Sequence, residues 1–216
     1  AQFSRVDARI IRASLTSARY ALEFEWAWTR SRLLRAPAGS AAREAGVRFA
    51  RATVPCHHDV QSRNLLRAQS IDGEAPRTLR LIDYEYAGHD RRALDLANTF
   101  CECCDMNELK PRYAEEYPDD RRGVDFCREY VKKADPEVYR TLVSDEDALT
   151  EYGSVFLKAV VEDVHRHSLV SHLGWAAWAL CRSEDGNVEY DFLEYARLRM
   201  EGYYWMKERI IRDKLF

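Results

Sequence analysis

The chain has 216 residues, with 33 basic and 36 acidic side chains and a net charge of −3. An apolar fraction of 46% is enough for a packed core and excludes wholesale disorder; the balanced charge argues against a dedicated nucleic-acid binder. No apolar run approaches the ~20 residues of a membrane span, and the opening AQFSRVDAR does not have the pattern of a secretory signal. In chain order, Leu22, Trp26, Thr29 and Leu33 recur at helical spacing and predict an amphipathic helix over Thr16–Arg35, capped by Thr16 or Ser17 and ended by Pro37 and Gly39. The Ala/Arg-rich stretch to Arg51 fits no single element. Ala52–Cys56 reads as a short strand, with Pro55 marking an edge or a strand end. Leu65-Leu66 and Thr78–Asp83 read as short strands around a loop that holds the turn signal Asp72-Gly73. Helices are predicted over Arg92–Glu102 and Gly123–Ala134, the second stopped by Asp135-Pro136, with a charged loop marked by Pro111 and Pro118 between them. Two long helices follow, Glu146–Arg182 with an interruption near Gly153 and Phe192–Lys214, separated by the polar turn Ser183–Asn187. The expected fold class is α+β and mostly helical with small β-hairpins, as one unit over residues 1–216 without internal repeats.

Cysteines fall at 56, 101, 103, 104, 127 and 181. The crowding of Cys101, Cys103 and Cys104 is not the spacing of a disulfide framework, so reduced thiols in a cytosolic protein are expected. A zinc reading of C-x-C-C lacks the second Cys or His pair that structural zinc requires. His165, His167 and His172 share a predicted helix and read as surface or core histidines rather than metal ligands.

The chemistry concentrates in Pro55–Phe100. Asp59 and Asn64 lie five residues apart in a loop between apolar runs, and Asp83 ends the strand TLRLID, 19 residues beyond Asn64. His57-x-Asp59-x-x-x-x-Asn64 followed by a strand-terminal Asp is the set that phosphoryl transfer needs. One Asp orients the acceptor hydroxyl and takes its proton, while an Asn and a second Asp hold Mg²⁺ against the nucleotide phosphates. The hairpin between them folds Asp83 back beside Asn64. Singly, these are an ordinary loop cap, turn residue and strand-end carboxylate; the three in this order and on these elements carry the reading. Farther on, Trp175 and Trp178 are spaced i, i+3 and share one helix face. Tyr190, Phe192 and Tyr195 follow across a short turn. Taken alone, aromatics so spaced also suit an ordinary core.

The segments HHDVQSRN, LIDYEYAG, ALDLANTFCE, SHLGWAAWAL and VEYDFLEYARLRMEGYY resemble the choline/ethanolamine kinases, a family of the protein-kinase-like superfamily. The likeness runs from about Pro55 to about Tyr204, with a poorly matching middle from Met106 to Glu162. It implies the C-terminal lobe of a protein-kinase-like fold: a helical lead-in over 1–54, catalytic and metal-binding loops over 55–100, and a helical acceptor-binding part over 101–216. It further implies Asp59 as catalytic base, His57 as brace of the catalytic loop, Asn64 and Asp83 as Mg²⁺ ligands, and Asp95 as a structural tie from that loop to the next helix. Glu102, Trp175, Trp178, Tyr190, Phe192 and Tyr195 would line the amine pocket, with Glu102 supplying a negative charge. The implied reaction is ATP-dependent phosphorylation of the hydroxyl of choline or ethanolamine, the opening step of phospholipid head-group synthesis, in the cytoplasm and often by a homodimer. A quaternary ammonium has no N–H to donate, so aromatic faces must hold it, at ~2 kcal/mol or more each when desolvated.

Three departures stand against the pattern. His58 occupies a position that is usually Asn, Asn98-Thr99-Phe100 replaces the usual N-H-F or N-H-W, and CCDMNEL lacks the acceptor-lining aromatic expected after Glu102. There is no G-x-G-x-x-G and no Lys before Lys110. The chain therefore reads as a C-lobe with the N-terminal β-lobe absent, expected to bind ATP poorly and turn over little by itself. Two further readings are an aminoglycoside-type or other small-molecule phosphotransferase, which an acidic open cleft would favour, and a non-catalytic pseudokinase or binding fragment.

Overall fold

The computed structural model describes residues 19–33, 35, 39–67, 79–104, 111–145, 148–149, 151–183 and 190–215. The expected caps Thr16 and Ser17, the stop at Pro37, the turn at Asp72-Gly73 and most of the turn Ser183–Asn187 lie outside these residues.

The first helix, α1, spans 19–33. Its inward face holds Glu25, Thr29 and Leu33, with Leu22 half-buried, whereas Trp26 stays 45% exposed. The expected apolar stripe therefore fails at Trp26. The physical reason is that Glu25 can be buried at no net cost of an orphan charge: its Oε2 accepts from the Tyr203 hydroxyl at 2.6 Å and from Lys207. The ambiguous Ala/Arg stretch is a helix, α2 (Ala41–Arg51), started by Ser40, whose hydroxyl accepts the Arg43 N–H. At Gly46 this helix meets α7 (Glu151–Arg182) so closely that a Cβ would lie 2.4 Å from the Phe156 carbonyl oxygen. Only glycine permits that approach.

Three antiparallel two-stranded pairings occur among the described residues. β1 (Thr53–Cys56) pairs with β4 (Gly88–Arg91), from Thr53↔Arg91 to Cys56↔Gly88. β2 (Leu65–Arg67) pairs with β3 (Leu79–Leu81), with Leu65 opposite Leu81. The third pairs β5 (Ser144–Asp145) with β6 (Ala148–Leu149). α3 (Arg92–Cys101) follows β4 directly. After the short α4 (Tyr113–Glu116), α5 runs over Asp120–Ala134, a turn earlier than expected, because Asp119 caps it by accepting the Arg122 N–H at 2.8 Å. A single turn, α6 (Pro136–Val138), precedes β5, and α8 (Phe192–Arg212) closes the chain.

α7 is the axis of the fold. Its 32 residues span about 48 Å at 1.5 Å per residue; the helix expected from Glu146 starts only at Glu151, after the strand β6, and then runs through Gly153. From Ala159 to Leu169 every residue is buried, because α2, α3, α5 and α8 pack around it. A helix buried all round must neutralise its polar groups internally. Asp163, with no exposure, accepts from Arg51 Nε and Nη2 at 2.9–3.2 Å and from Arg166 Nη1 at 2.9 Å. Burial by itself would raise the Asp163 carboxyl, but the hydrogen bonds from Arg51 and the neighbouring positive charges hold it below its usual range. The three histidines of α7 are core groups. His165 meets the Tyr117 hydroxyl at 3.0 Å, His167 the Asp163 carbonyl at 2.7 Å, and His172 the Cys101 thiol at 3.5 Å. Burial pushes all three imidazoles down, so they stay neutral. All six cysteines are free thiols, with Cys103 and Cys181 exposed and the others buried. Among the described residues, no helix is long and apolar enough to cross a membrane.

Candidate active site

The loop between β1 and β2 is tied at both ends. His57 and His58 both donate their backbone N–H to Asp95 Oδ1 on α3, at 3.1 and 2.7 Å. Presenting two consecutive N–H groups to one oxygen requires a bent backbone, and His58 adopts φ = 67°. A left-handed non-glycine residue costs ~1–3 kcal/mol, which persists only where the surroundings impose it; here the charge-assisted bonds to Asp95 do so. The His57 ring then reaches the other way. Its Nδ1 accepts the Asp59 N–H at 3.2 Å, so Nε2 carries the proton and donates to the Ile82 carbonyl at 2.9 Å. One imidazole thus pins the loop to the strand end that bears Asp83.

Asp59 and Asn64 meet directly. The Asn64 Nδ2 donates to the Asp59 Oδ2 at 2.8 Å and to the Asp59 carbonyl at 2.9 Å. Gln61 Nε2 donates to both carboxylate oxygens at 3.2 Å. Because the Asn64 amide nitrogen is spent on Asp59, its Oδ1 is the atom left to accept or coordinate. The Ile82 N–H donates to the Asn64 carbonyl at 3.0 Å, continuing the β2–β3 ladder. That bond sets Asp83 one residue past the partner of Asn64. Asp83 is exposed and left-handed, with φ = 68°, and its carboxylate has no hydrogen-bond or ion-pair partner among the described residues. An amide oxygen and a carboxylate are the hard donors that Mg²⁺ takes, typically one or two protein groups completed by phosphates and water. No group of three or more His, Cys, Asp or Glu side chains fit to hold a metal occurs among the described residues.

Next to Asp59 lies a cleft of about 400 Å³ that brings together all six expected amine-pocket residues, Glu102, Trp175, Trp178, Tyr190, Phe192 and Tyr195. The rings pack edge to face. Trp175 and Trp178 are 5.3 Å apart, and Trp178 is 5.6 Å from Phe192 and 6.2 Å from Tyr195. Tyr190 closes the side, 5.0 Å from Phe192. Glu102 is not the free anion that the sequence suggests. The buried Arg199 guanidinium donates to its Oε1 and, from Nε, to the Tyr195 hydroxyl at 2.9 Å. Burial works against the charged Arg199, but the Glu102 carboxylate beside it carries the group above its usual range. Burial also pushes the Tyr195 phenol up to about 12, so it remains a neutral acceptor for Arg199. Arg199 also sits 5.1 Å from the Tyr195 ring and 5.8 Å from that of Trp175. Among the described residues, no protein cation lies over Trp178.

The cleft also contains Glu85, Tyr86, Gln61 and Arg63, none of them singled out in the sequence. Tyr86 packs on Trp175 at 5.3 Å. Glu85 and Tyr86 lie in the LIDYEYAG segment, two and three residues after Asp83, on a turn closed by the Ala87 N–H to the Tyr84 carbonyl at 3.0 Å. Their place beside a strand-terminal Asp was the available signal. The signal for Arg199 was its i+4 position from Tyr195.

The sequence matches the family of choline/ethanolamine kinases over residues 42–204. It is 30% identical over 159 residues to a probable choline kinase 2 of Arabidopsis thaliana, covering 72% of this chain and 40% of that protein. With the human choline/ethanolamine kinase it shares 28% over 160 residues, covering 72% and 38%. The chain thus spans about 40% of the length of these curated relatives. Its fold is similar to a choline kinase of Cryptosporidium parvum Iowa II, with a TM-score of 0.61 at 22% identity over 94% of this chain and 58% of that one. A Plasmodium vivax ethanolamine kinase gives a TM-score of 0.55 at 18% identity, covering 94% and 50%. With three quarters of its length inside the family match and its helical fold shared with solved members, this chain belongs to the choline/ethanolamine kinase family.

Proposed function

We propose that this chain carries the acceptor- and metal-binding half of a cytoplasmic kinase that transfers the γ-phosphoryl group of ATP to the hydroxyl of choline or ethanolamine. The observation that carries the reading is the placement of Asp59: one carboxylate hydrogen-bonded to Asn64 at 2.8 Å and facing the aromatic cleft. Asp59 accepts the proton of the acceptor hydroxyl as phosphorus–oxygen bond formation proceeds, and Asn64 keeps it oriented. His57 braces the loop through its two ring nitrogens, and Asp95 acts structurally from α3. Asn64 Oδ1 and Asp83 would hold Mg²⁺, which when bound neutralises charge on the transferring phosphates. The exposed Leu66 and Ile82, on one face of the β2–β3 ladder beside those ligands, suit a purine ring.

For the acceptor, the Glu102–Arg199 pair is internally neutralised, so the ammonium is held by ring faces, chiefly Trp178 with Tyr190, Phe192 and Tyr195 around it, and by the carboxylates of Glu85 and Asp59. A wall of rings with few donors favours a methylated head group over a sugar hydroxyl array. The test is ATP consumption by the whole protein with choline and ethanolamine side by side and an aminoglycoside as a third acceptor. Turnover with choline exceeding that with ethanolamine, and none with the aminoglycoside, is expected. Turnover with the aminoglycoside alone, or with no acceptor of the three, would overturn the reading.

A further inference from the structure

A second cavity, of about 310 Å³, lies behind the acceptor cleft. Tyr86, Trp175 and Trp178 line both spaces and so form a partition between them. Beyond this wall it is lined by Leu94, Val170 and Gly174 and by the polar residues His58, Asp90, Asn98 and Ser171, and two buried polar atoms, His58 Nε2 and Asn98 Nδ2, have no hydrogen-bond partner. His58 donates from Nδ1 to the Tyr86 carbonyl at 2.9 Å. A carbonyl only accepts, so Nδ1 carries a proton, and in the neutral imidazole Nε2 presents a lone pair. That Nε2 is buried and has no hydrogen-bond partner. At 3.8 Å from it stands Oδ2 of Asp90, a second acceptor. With the ring neutral, two acceptors face one another there, the Asp90 side chain being 45% exposed. The second buried group is Asn98, 2% exposed. Its Oδ1 accepts from Ser171 at 2.8 Å and from Trp175 Nε1 at 2.7 Å, which fixes the amide, and its Nδ2 donates to nothing. Buried polar groups left unmatched in this way call for a ligand or ordered water.

Gly174 adds an independent observation. It sits within α7, where glycine lowers helix stability relative to alanine, yet a Cβ there would meet nothing within 4 Å. No packing contact requires glycine at this position, which lines the second cavity and leaves space for a side chain to enter it.

We propose that this cavity binds a small organic ammonium that carries at least one N–H and an apolar, ring-bearing body. The N–H fills the gap between His58 Nε2 and Asp90, Asp90 supplies the counter-charge, and the body lies against the faces of Tyr86, Trp175 and Trp178. A quaternary ammonium cannot make that bond, so the two neighbouring spaces select opposite ends of the amine series. Binding here needs neither nucleotide nor metal.

The test titrates 2-phenylethylammonium and its N,N,N-trimethyl analogue into the chain, followed by calorimetry and tryptophan fluorescence. The primary ammonium is expected to bind, and the trimethyl analogue to bind at least about tenfold more weakly, as loss of a hydrogen bond to a charged group implies. Asp90→Asn should weaken the primary ammonium by a similar factor. Gly174→Leu, which puts a side chain into the cavity and favours helix, should abolish its binding with helical content unchanged. Equal binding of both probes, binding undiminished by Gly174→Leu, or displacement by choline would each overturn the proposal. So would absence of binding at millimolar concentration, which would leave the polar groups to water.

Discussion

Asp59→Asn in the whole protein is expected to lower kcat by about 10³-fold while leaving the melting temperature and the KM for ATP near those of the parent. The substitution keeps size and planarity but removes the proton acceptor, and general-base groups contribute ~10²–10⁴ to rate. The loop should survive, because it is fixed chiefly by Asp95 through the His57 and His58 N–H groups and by the His57 ring to Ile82. Steady-state kinetics with a thermal melt reads both quantities. A kcat within tenfold of the parent would remove Asp59 from its role, and a collapsed melting temperature would make it a structural residue.

The largest loss of stability is expected from Asp163→Leu. The fully buried carboxylate answers Arg51 and Arg166. Removing it leaves two guanidinium groups without their counter-charge, beside Glu162 as the remaining acid. Breaking a buried pair from one side costs ~3–5 kcal/mol, a large share of the ~5–15 kcal/mol that holds a typical protein folded. Thermal unfolding should move down by roughly 10 °C. The sign of the pH dependence follows from the lowered carboxyl. Its contribution is complete above the unfolded value of about 4 and is lost as pH falls through the lower folded value, so the parent loses this stability in acid and Asp163→Leu has none to lose. Thermal melts at neutral and acid pH measure both effects.

Local spacing made much of the site legible. Asp59 and Asn64 share one short loop, and Trp175 and Trp178 share one helix turn, so their neighbourhood follows from backbone geometry alone. Asp83 was legible because it follows a short strand that pairs with the strand after Asn64. What stayed hidden depends on distant partners or on turns without a period. Glu102 looked like an available anion because Arg199, its partner, lies 97 residues away. Glu85 and Tyr86 sit on a turn, where no periodicity marks a wall residue. Trp26 was placed inward and Glu25 was not, because an apolar stripe cannot register a carboxylate that Tyr203 and Lys207 satisfy. The helix expected from Glu146 starts at Glu151 because Ala148–Leu149 pairs as a strand with Ser144–Asp145, and it continues through Gly153, whose propensity alone does not break a packed helix. The strand Gly88–Arg91 was invisible because it pairs with Thr53–Cys56 while carrying no alternating pattern of its own.

The central claim is that Asn64 and Asp83 share a divalent cation beside Asp59. The most direct measurement is a crystal structure of the whole protein with Mg²⁺ and ADP. Metal–oxygen distances of about 2.0–2.1 Å to Asn64 Oδ1 and to the Asp83 carboxylate, with the Asn64–Asp59 hydrogen bond retained, are the expected result. A nucleotide-bound metal that touches neither side chain, with Asp83 turned into solvent, would contradict it.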